Sequence, residues 1–366
     1  MGIFSSVKTL IYFILMMGII IFIHEFGHML LAKRFNVYVR EFALGFGPKI
    51  FSKQGKETLY TLRAIPLGGF NGMVEAEETP IEFDENGNPT KIFTIEKERT
   101  FYGVAIWKRI MILLAGPVFN LMLACLVFSS IFQINGFVNV YPAPVITAVD
   151  VNYPAYAAGL KAGDVIKKIS TDDGQHVEPE TFYDIIVFNQ NKKDTLTFTV
   201  EREGQNLEIR VTPQYNEEEK RYIIGISAGE MIQKKITFLE GFVEGAKYTW
   251  YIITATFQAI ARLFVGQGLE DLGGTISIYR YTEEAASYGF LSILSLMGSL
   301  SVSVGLMNLI PIPIFDGGRI VLCLIEKIVG HRLSEKTENI VMYIGLGLVF
   351  ILFVFVTIQD ITKLFH

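Results

Sequence analysis

Uncharged apolar runs about as long as a membrane-crossing helix recur four times along this 366-residue chain. They are Thr9–Ala32 (interrupted only by the cluster His24-Glu25-Phe26-Gly27-His28), Ile110–Ile134, Tyr288–Phe315 and Ile340–Gln359. A helix crossing a bilayer needs about 20 largely apolar residues, so each run is read as a span. A fifth run, Tyr248–Ala261, has only 14 uncharged residues and is flanked by Glu240, Glu244, Lys247 and Arg262. Its length and amphipathic flanks predict a helix at the membrane surface or a re-entrant one. Composition agrees: 51% of the residues are hydrophobic, 19% are charged, and the mean hydropathy is +0.38. The net charge of −5 has no dominant basic field, which excludes nucleic acid as a partner. Cys125 and Cys323 lie in or beside apolar runs and read as buried thiols, not as a disulfide framework.

Lys8 precedes the first run as in a signal peptide, but the run is longer than a signal core and no small-residue cleavage site follows. It is therefore kept as a span. Basic residues near span ends mark the cytoplasmic side. Lys33, Arg34, Arg40, Lys108 and Arg109 put the loop between the first two spans there, and Arg319, Lys327 and Arg332 do the same for the loop before the fourth. Both termini and the long segment between spans two and three are expected outside.

The first loop carries two short β-like runs, Val37–Phe42 and Thr58–Leu62, then an acidic stretch, Glu75–Asn88. That stretch reads as a solvated tether, with a cation site as the alternative. The outer segment mixes strand-like runs (Thr195–Val200, Leu207–Val211, Tyr222–Ile226) with one helix-like run, Pro179–Phe188. Such a segment is long enough for a small independent domain.

The chemistry gathers in His24-Glu25-Phe26-Gly27-His28, an H-E-x-x-H pattern in an apolar helix. Histidines four apart project from one helix face and can bind one metal ion through neutral imidazoles. Glu25 then lies near the same face, where it can take a proton from a metal-bound water. Two polar residues joining helices would fit the letters too, but ionisable groups at membrane depth are costly and usually functional. The motif sits about 10 Å inside the basic end of its span, in the cytoplasmic leaflet.

A catalytic zinc site has three protein ligands and one open position. The other histidines, His176, His331 and His366, are not at membrane depth; Asp316, closing the third apolar run, is the better candidate. Pro311 and Pro313 would break the helix before it, and Gly317 and Gly318 would let backbone approach closely. An Asp-Gly turn ending the helix fits the same residues, so the letters alone leave the third ligand open. Ser295, Ser299 and Ser303 recur every fourth residue and read as a close-packing row.

HEFGH in the first span, Gly116-Pro-Val-Phe-Asn120 in the second and Asn308-Leu-Ile-Pro-Ile-Pro-Ile-Phe-Asp-Gly-Gly318 together resemble the site-2 protease family of intramembrane zinc metalloproteases. The bacterial branch that includes the regulator of sigma-E protease is the most similar, with Ile65–Phe70 (IPLGGF) and Leu269–Ile278 (LEDLGGTISI) also matching. The resemblance implies zinc held by His24, His28 and Asp316, with Glu25 as catalytic base. It also implies substrate handling by Asn308, Asn120 and a membrane-dipping β-structure around Gly68, Gly69 and Phe70 that pairs with an extended peptide.

The stretch Ala157–Ile166 (AAGLKAGDVI) resembles a PDZ domain, and the chain has room for one, as in a single-PDZ branch. Such a domain would either exclude bulky substrates or bind a newly exposed C-terminus. The expected fold is an α-helical polytopic membrane protein of about four spans, with a cytoplasmic membrane-associated β-hairpin or sheet and one extracytoplasmic α+β PDZ domain. The expected boundaries are 1–34 and 109–135 for the first two spans, 35–108 for the β-loop region and 140–229 for the PDZ domain. The amphipathic surface helix takes 232–280, the third span with its ligand segment 288–330, and the fourth span 338–364.

The implied activity is zinc-dependent cleavage of single-span substrates, such as anti-sigma factors and remnant signal peptides, after an upstream site-1-type protease has acted. The implied location is the bacterial plasma membrane. A CaaX-type membrane metalloprotease and a non-catalytic PDZ scaffold are the alternatives.

Overall fold

The computed structural model describes residues 3–77, 81–83, 89–92, 94–189, 192–216, 221–264, 266 and 272–363. It divides into two compact units, one made of residues 1–134 and 238–366 and the other of 135–237. The first unit opens with α1 (Ile3–Arg34), β1 (Val39–Gln54), β2 (Leu59–Met73), the short pair β3 (Ile81–Phe83) and β4 (Pro89–Ile92), and α2 (Ile106–Asn135). The second unit holds β5 (Phe137–Val140), β6 (Ala148–Val149), α3 (Pro154–Ala158), β7 (Val165–Thr171), β8 (His176–Val177) and α4 (Phe182–Asn189). It continues with β9 (Leu196–Arg202), β10 (Gln205–Val211), β11 (Gln214–Asn216), β12 (Arg221–Ile223), β13 (Ile226–Ser227) and β14 (Ile232–Lys235). The chain then returns to the first unit through α5 (Phe238–Phe264), α6 (Thr275–Tyr288), α7 (Phe290–Asn308), α8 (Asp316–Val329) and α9 (Glu335–Thr362).

Among the described residues, four helical segments are long and apolar enough to cross a membrane: Val7–Arg34 of α1, α2, α7 and α9. They coincide with the four apolar runs. The third run is longer than its helix, because the segment holding Pro311 and Pro313 separates α7 from α8. Two prolines cannot supply the backbone donors a helix needs.

Helices in hydrocarbon gain little from hiding apolar surface against one another, so close backbone approach and hydrogen bonds hold them. Along α7 the approach is made by Gly298, Ser301 and Gly305. A methyl on Gly298 would come within 2.7 Å of the Phe128 ring, and one on Gly305 within 3.1 Å of the Pro117 carbonyl. The buried Ser301 hydroxyl donates to the Asn120 carbonyl at 2.8 Å. The expected row of Ser295, Ser299 and Ser303 does not make this contact. Ser299 and Ser303 turn their hydroxyls to carbonyls one turn back on their own helix.

The amphipathic run around Tyr248 extends to all of α5, which runs antiparallel along α2. Gly241 meets Gln133, Gly245 meets Ser129, and the Tyr248 ring meets Phe128 and Phe132. Composition gave no sign of this pairing.

The two short β-like runs grow into the long strands β1 and β2, whose register folds back on itself. Phe42, Ala43 and Leu44 pair with Asn71, Phe70 and Gly69 on one side and with Tyr60, Thr61 and Leu62 on the other. The β1 segment at residues 42–44 is thereby enclosed by β2 on both edges.

The second unit is built as a water-soluble domain would be. A sheet ordered β10-β9-β7-β8 presents Leu196, Phe198 and Val200, alternate residues of β9, to a core with Ile166, Ile169, Phe182 and Ile185. The expected strands at Thr195–Val200 and Leu207–Val211 are β9 and β10, whereas Tyr222–Ile226 is divided between β12 and β13. The expected helix starts later, at Phe182, because Asp184 accepts hydrogen bonds from the Glu180 and Thr181 N–H groups and from the Thr181 hydroxyl. Buried Asp164 accepts from Arg202 at 2.6 and 2.7 Å and from the Lys161 N–H at 2.9 Å. Burial alone would push its carboxyl up; these donors outweigh burial and hold it below the usual range.

Candidate metal centre

Helix α1 presents His24 and His28 one turn apart, both buried, where it crosses α2. The crossing depends on glycine. A methyl on Gly27 would stand 2.6 Å from the Ala115 carbonyl, and one on Gly116 only 2.3 Å from His28 Nε2 and 2.8 Å from His24 Cε1. The imidazoles thus lie directly on the α2 backbone. His28 Nδ1 donates to the Ile112 carbonyl at 2.8 Å, which leaves Nε2 as a bare lone pair. His24 Nδ1 faces the amide of fully buried Asn120 at 3.3 Å, and the Asn120 Oδ1 has no other partner. With that oxygen turned to Nδ1–H, the His24 Nε2 is a lone pair as well.

Asp316 reaches the same point from the far end of the chain. The segment after α7 carries Pro311 and Pro313, and α8 restarts at Asp316, so the aspartate opens a helix instead of closing one. Gly317 and Gly318 permit the tuck: a methyl on either would lie 2.2 Å from the Leu309 or the Ile312 carbonyl, respectively. Asp316 Oδ2 then stands 3.2 Å from His24 Nε2 and 3.3 Å from His28 Nε2, and the two Nε2 atoms are 3.2 Å apart.

Three lone-pair donors therefore converge with no hydrogen bond to Asp316 Oδ2. Such an arrangement is repulsive unless a cation sits among them. Donors about 2.0–2.1 Å from a tetrahedral zinc lie about 3.3–3.4 Å apart, and this triangle has that size. No other group of His, Cys, Asp and Glu side chains among the described residues meets the geometry for holding a metal.

Glu25 lies beside the triangle, gripped by Asn71 of β2. The Asn71 amide donates to Glu25 Oε2 at 2.6 Å and to the Glu25 main-chain carbonyl at 2.8 Å. Gly69 lets the strand come this close, since a methyl there would lie 3.0 Å from Glu25 Cγ. Gly68 has φ +113°, and a methyl on it would run into the Phe46 ring. Phe70 stacks under the Arg63 guanidinium, 5.1 Å from ring centre to Cζ, while Arg63 donates to Glu41 at 2.7 Å and to the Gly47 carbonyl at 2.9 Å.

The structure thus brings His24, His28, Asp316, Glu25 and Asn120 together, with Gly69 against Glu25. Asn308 instead donates to the Val304 carbonyl of its own helix at 3.0 Å. Sequence reasoning missed Asn71 and the Ile112 carbonyl. The carbonyl has no letter of its own, whereas a lone amide following Ile65–Phe70 was a readable signal. His176 and His331 are exposed, as expected, and His366 lies outside the described residues. Of the acidic stretch, Glu75 is 3.2 Å from Arg319, and residues 78–80 and 84–88 lie outside the described residues. Cys323 is buried, as expected, whereas Cys125 is only half-buried.

Comparison with known proteins gives the family. The model for peptidase family M50 matches residues 12–352. A putative zinc metalloprotease of Clostridium acetobutylicum is 34% identical, over 95% of this chain and 96% of that protein. The probable protease eep of Enterococcus faecalis is 34% identical over 98% and 100%, and the regulator of sigma-W protease RasP of Bacillus subtilis is 30% identical over 98% and 99%. With the family match running from the first apolar helix to the last, and relatives aligned end to end, the chain belongs to peptidase family M50, the site-2 protease family.

Proposed function

We propose that His24, His28 and Asp316 hold one zinc ion, and that Glu25 is the general base of an endopeptidase that cuts transmembrane segments inside the bilayer. The observation that carries this reading is the triangle of buried lone pairs, Nε2, Nε2 and Oδ2, at zinc-like spacing. When bound, zinc supplies Lewis acidity, which makes water a nucleophile near neutral pH and polarises the scissile carbonyl. Glu25 takes the proton from the attacking water and returns it to the leaving amine. The Ile112 carbonyl and the Asn120 amide hold the two imidazoles in the ligating tautomer. An extended substrate adds as a strand beside Gly68, Gly69 and Phe70, read through backbone hydrogen bonds that leave sequence preference loose. The family resemblance assigns substrate handling to Asn308 and to Asn120; in this chain Asn120 also orients His24.

The sigma-W regulator relative supports anti-sigma factors as one substrate class; the family resemblance adds remnant signal peptides as another and an upstream site-1-type protease that trims each first. We place the protein in the plasma membrane as a multi-pass chain. Residues 1–34, 109–135, 288–330 and 338–364 carry the spans, 35–108 the cytoplasmic β-region and 232–280 the amphipathic helix. The proteolytic site lies toward the cytoplasmic leaflet, and 140–229 forms an extracytoplasmic PDZ domain. A groove of about 660 Å³ in that unit, between α4 and Arg221–Ile226 and lined by Phe182, Ile185, Ile186 and Tyr222, supports docking of a peptide C-terminus. Membership in M50 replaces the CaaX-type and scaffold alternatives.

The test is cleavage of a tagged single-span peptide in detergent, with and without a chelator. Glu25→Gln is expected to abolish cleavage while zinc remains bound. Cleavage by Glu25→Gln at the parent rate would overturn the reading.

A further inference from the structure

We propose that Asn71 is a positioning residue that fixes the Glu25 carboxylate for proton transfer; this rests on the reading of Glu25 as the base. One amide nitrogen carries two hydrogens, and here each has its own acceptor, Glu25 Oε2 at 2.6 Å and the Glu25 carbonyl at 2.8 Å. The bond to the main chain fixes the amide on helix α1, and the bond to the carboxylate then fixes the side chain. Two acceptors facing the same atom also settle which end of the amide is nitrogen.

The strand cannot drift away from this contact. Gly69 and Asn71 are two apart and share the face of β2 that lies on α1, and the absent Gly69 side chain leaves the strand against Glu25 Cγ. Asn71 pairs in register with Phe42, whose buried ring packs edge-on against Phe22 of α1 at 5.7 Å. A free glutamate samples several rotamers. Held this way, Glu25 keeps one, and the same strand that carries Gly68–Phe70 also sets where the base points. A base off its productive position by about 1 Å costs up to about a hundredfold in rate.

A residue that only pinned β2 to α1 would act on substrate binding. Asn71→Leu keeps the branched outline of the side chain and removes the donors, and is read on the full-length protein with a tagged single-span peptide. The expected result is a kcat lower by about ten- to hundredfold with KM within about twofold, unchanged zinc content and an unchanged melting temperature. Asn71→Gln, which keeps the amide, is expected to recover part of the loss. If Asn71→Leu does not fold, Asn71→Ser, too short to reach the carboxylate, gives the same reading. A raised KM with kcat intact, or no change in either, overturns the proposal. Full activity in Glu25→Gln would instead overturn the assignment of the base itself, so the two failures are told apart.

Discussion

The two units of this protein hide opposite things. In the second unit Leu196, Phe198 and Val200 are fully buried and charged groups face out, apart from Asp164 with its Arg202 partner. In the helical unit Tyr343, Ile344 and Phe350 of α9 stand 72%, 66% and 64% exposed, while His24, His28, Asn120, Arg109 and Glu326 are buried. One unit is packed against water and the other against lipid. Burial of apolar area, at about 25 cal/mol per Å², holds the first kind together. Glycine-mediated contact and internal polar bonds hold the second. The polar interior that would be a defect in a soluble domain is here the place where chemistry can occur.

That contrast can be broken at several points. The largest effect is expected at the crossing of α1 and α2, where Gly116→Ala would drive a methyl into His28 Nε2. Cleavage should fall by more than about a hundredfold, with zinc lost in parallel, as measured by metal analysis and peptide cleavage. A loaded, active Gly116→Ala enzyme would mean that the helices do not cross as described.

In the second unit, Phe198→Ala leaves a cavity in a closed core and should cost about 3–5 kcal/mol, whereas Phe350→Ala on the exposed face of α9 should change stability by about 0.5 kcal/mol or less. Chemical denaturation monitored separately for the two units checks this pair. Equal costs would erase the distinction between a core facing water and a surface facing lipid.

The buried pair Arg109 Nη1–Glu326 Oε2, at 2.7 Å, ties α2 to α8, the helix that begins with Asp316. Glu326→Gln strands a buried guanidinium and should cost about 3 kcal/mol, while Arg109→Met with Glu326→Leu should recover most of that, as read by melting curves in detergent. A double variant no more stable than the single one would give the pair a role beyond charge balance.

The smallest effect is a pH dependence confined to the second unit. Because Asp164 is held below its ordinary range, its stabilisation is present above about pH 4 and is lost as the pH falls through its folded value. Asp164→Asn should flatten that acid limb. An acid limb of the same size in Asp164→Asn would assign it elsewhere.

Legibility differed from element to element for physical reasons. Apolar length announced the four spans, since a bilayer accepts few other solutions, and the four-residue spacing of His24 and His28 put both on one helix face. The strands of the first loop were read far too short. Their residues answer to a register in which β1 is paired on both edges, and alternation by two cannot report that. Asp316 was visible as a carboxylate in the wrong solvent, yet its letters left a turn equally open. The row of small residues on α7 was read on a different face from the one that makes the contact, because Gly298, Ser301 and Gly305 answer to α2 and not to their own sequence.

Solvent preference is a property each residue carries alone, so the letters by themselves marked this chain as a membrane protein, showed which stretches are long and apolar enough to cross, and put a metal-binding pattern within the first of them. Which third side chain meets those imidazoles, which amide grips Glu25 and which carbonyl orients His28 were decided only in three dimensions. Those contacts join positions 46, 84 and 292 residues apart, and distance along the chain says nothing about distance in space until the glycines have let the helices and the strand touch.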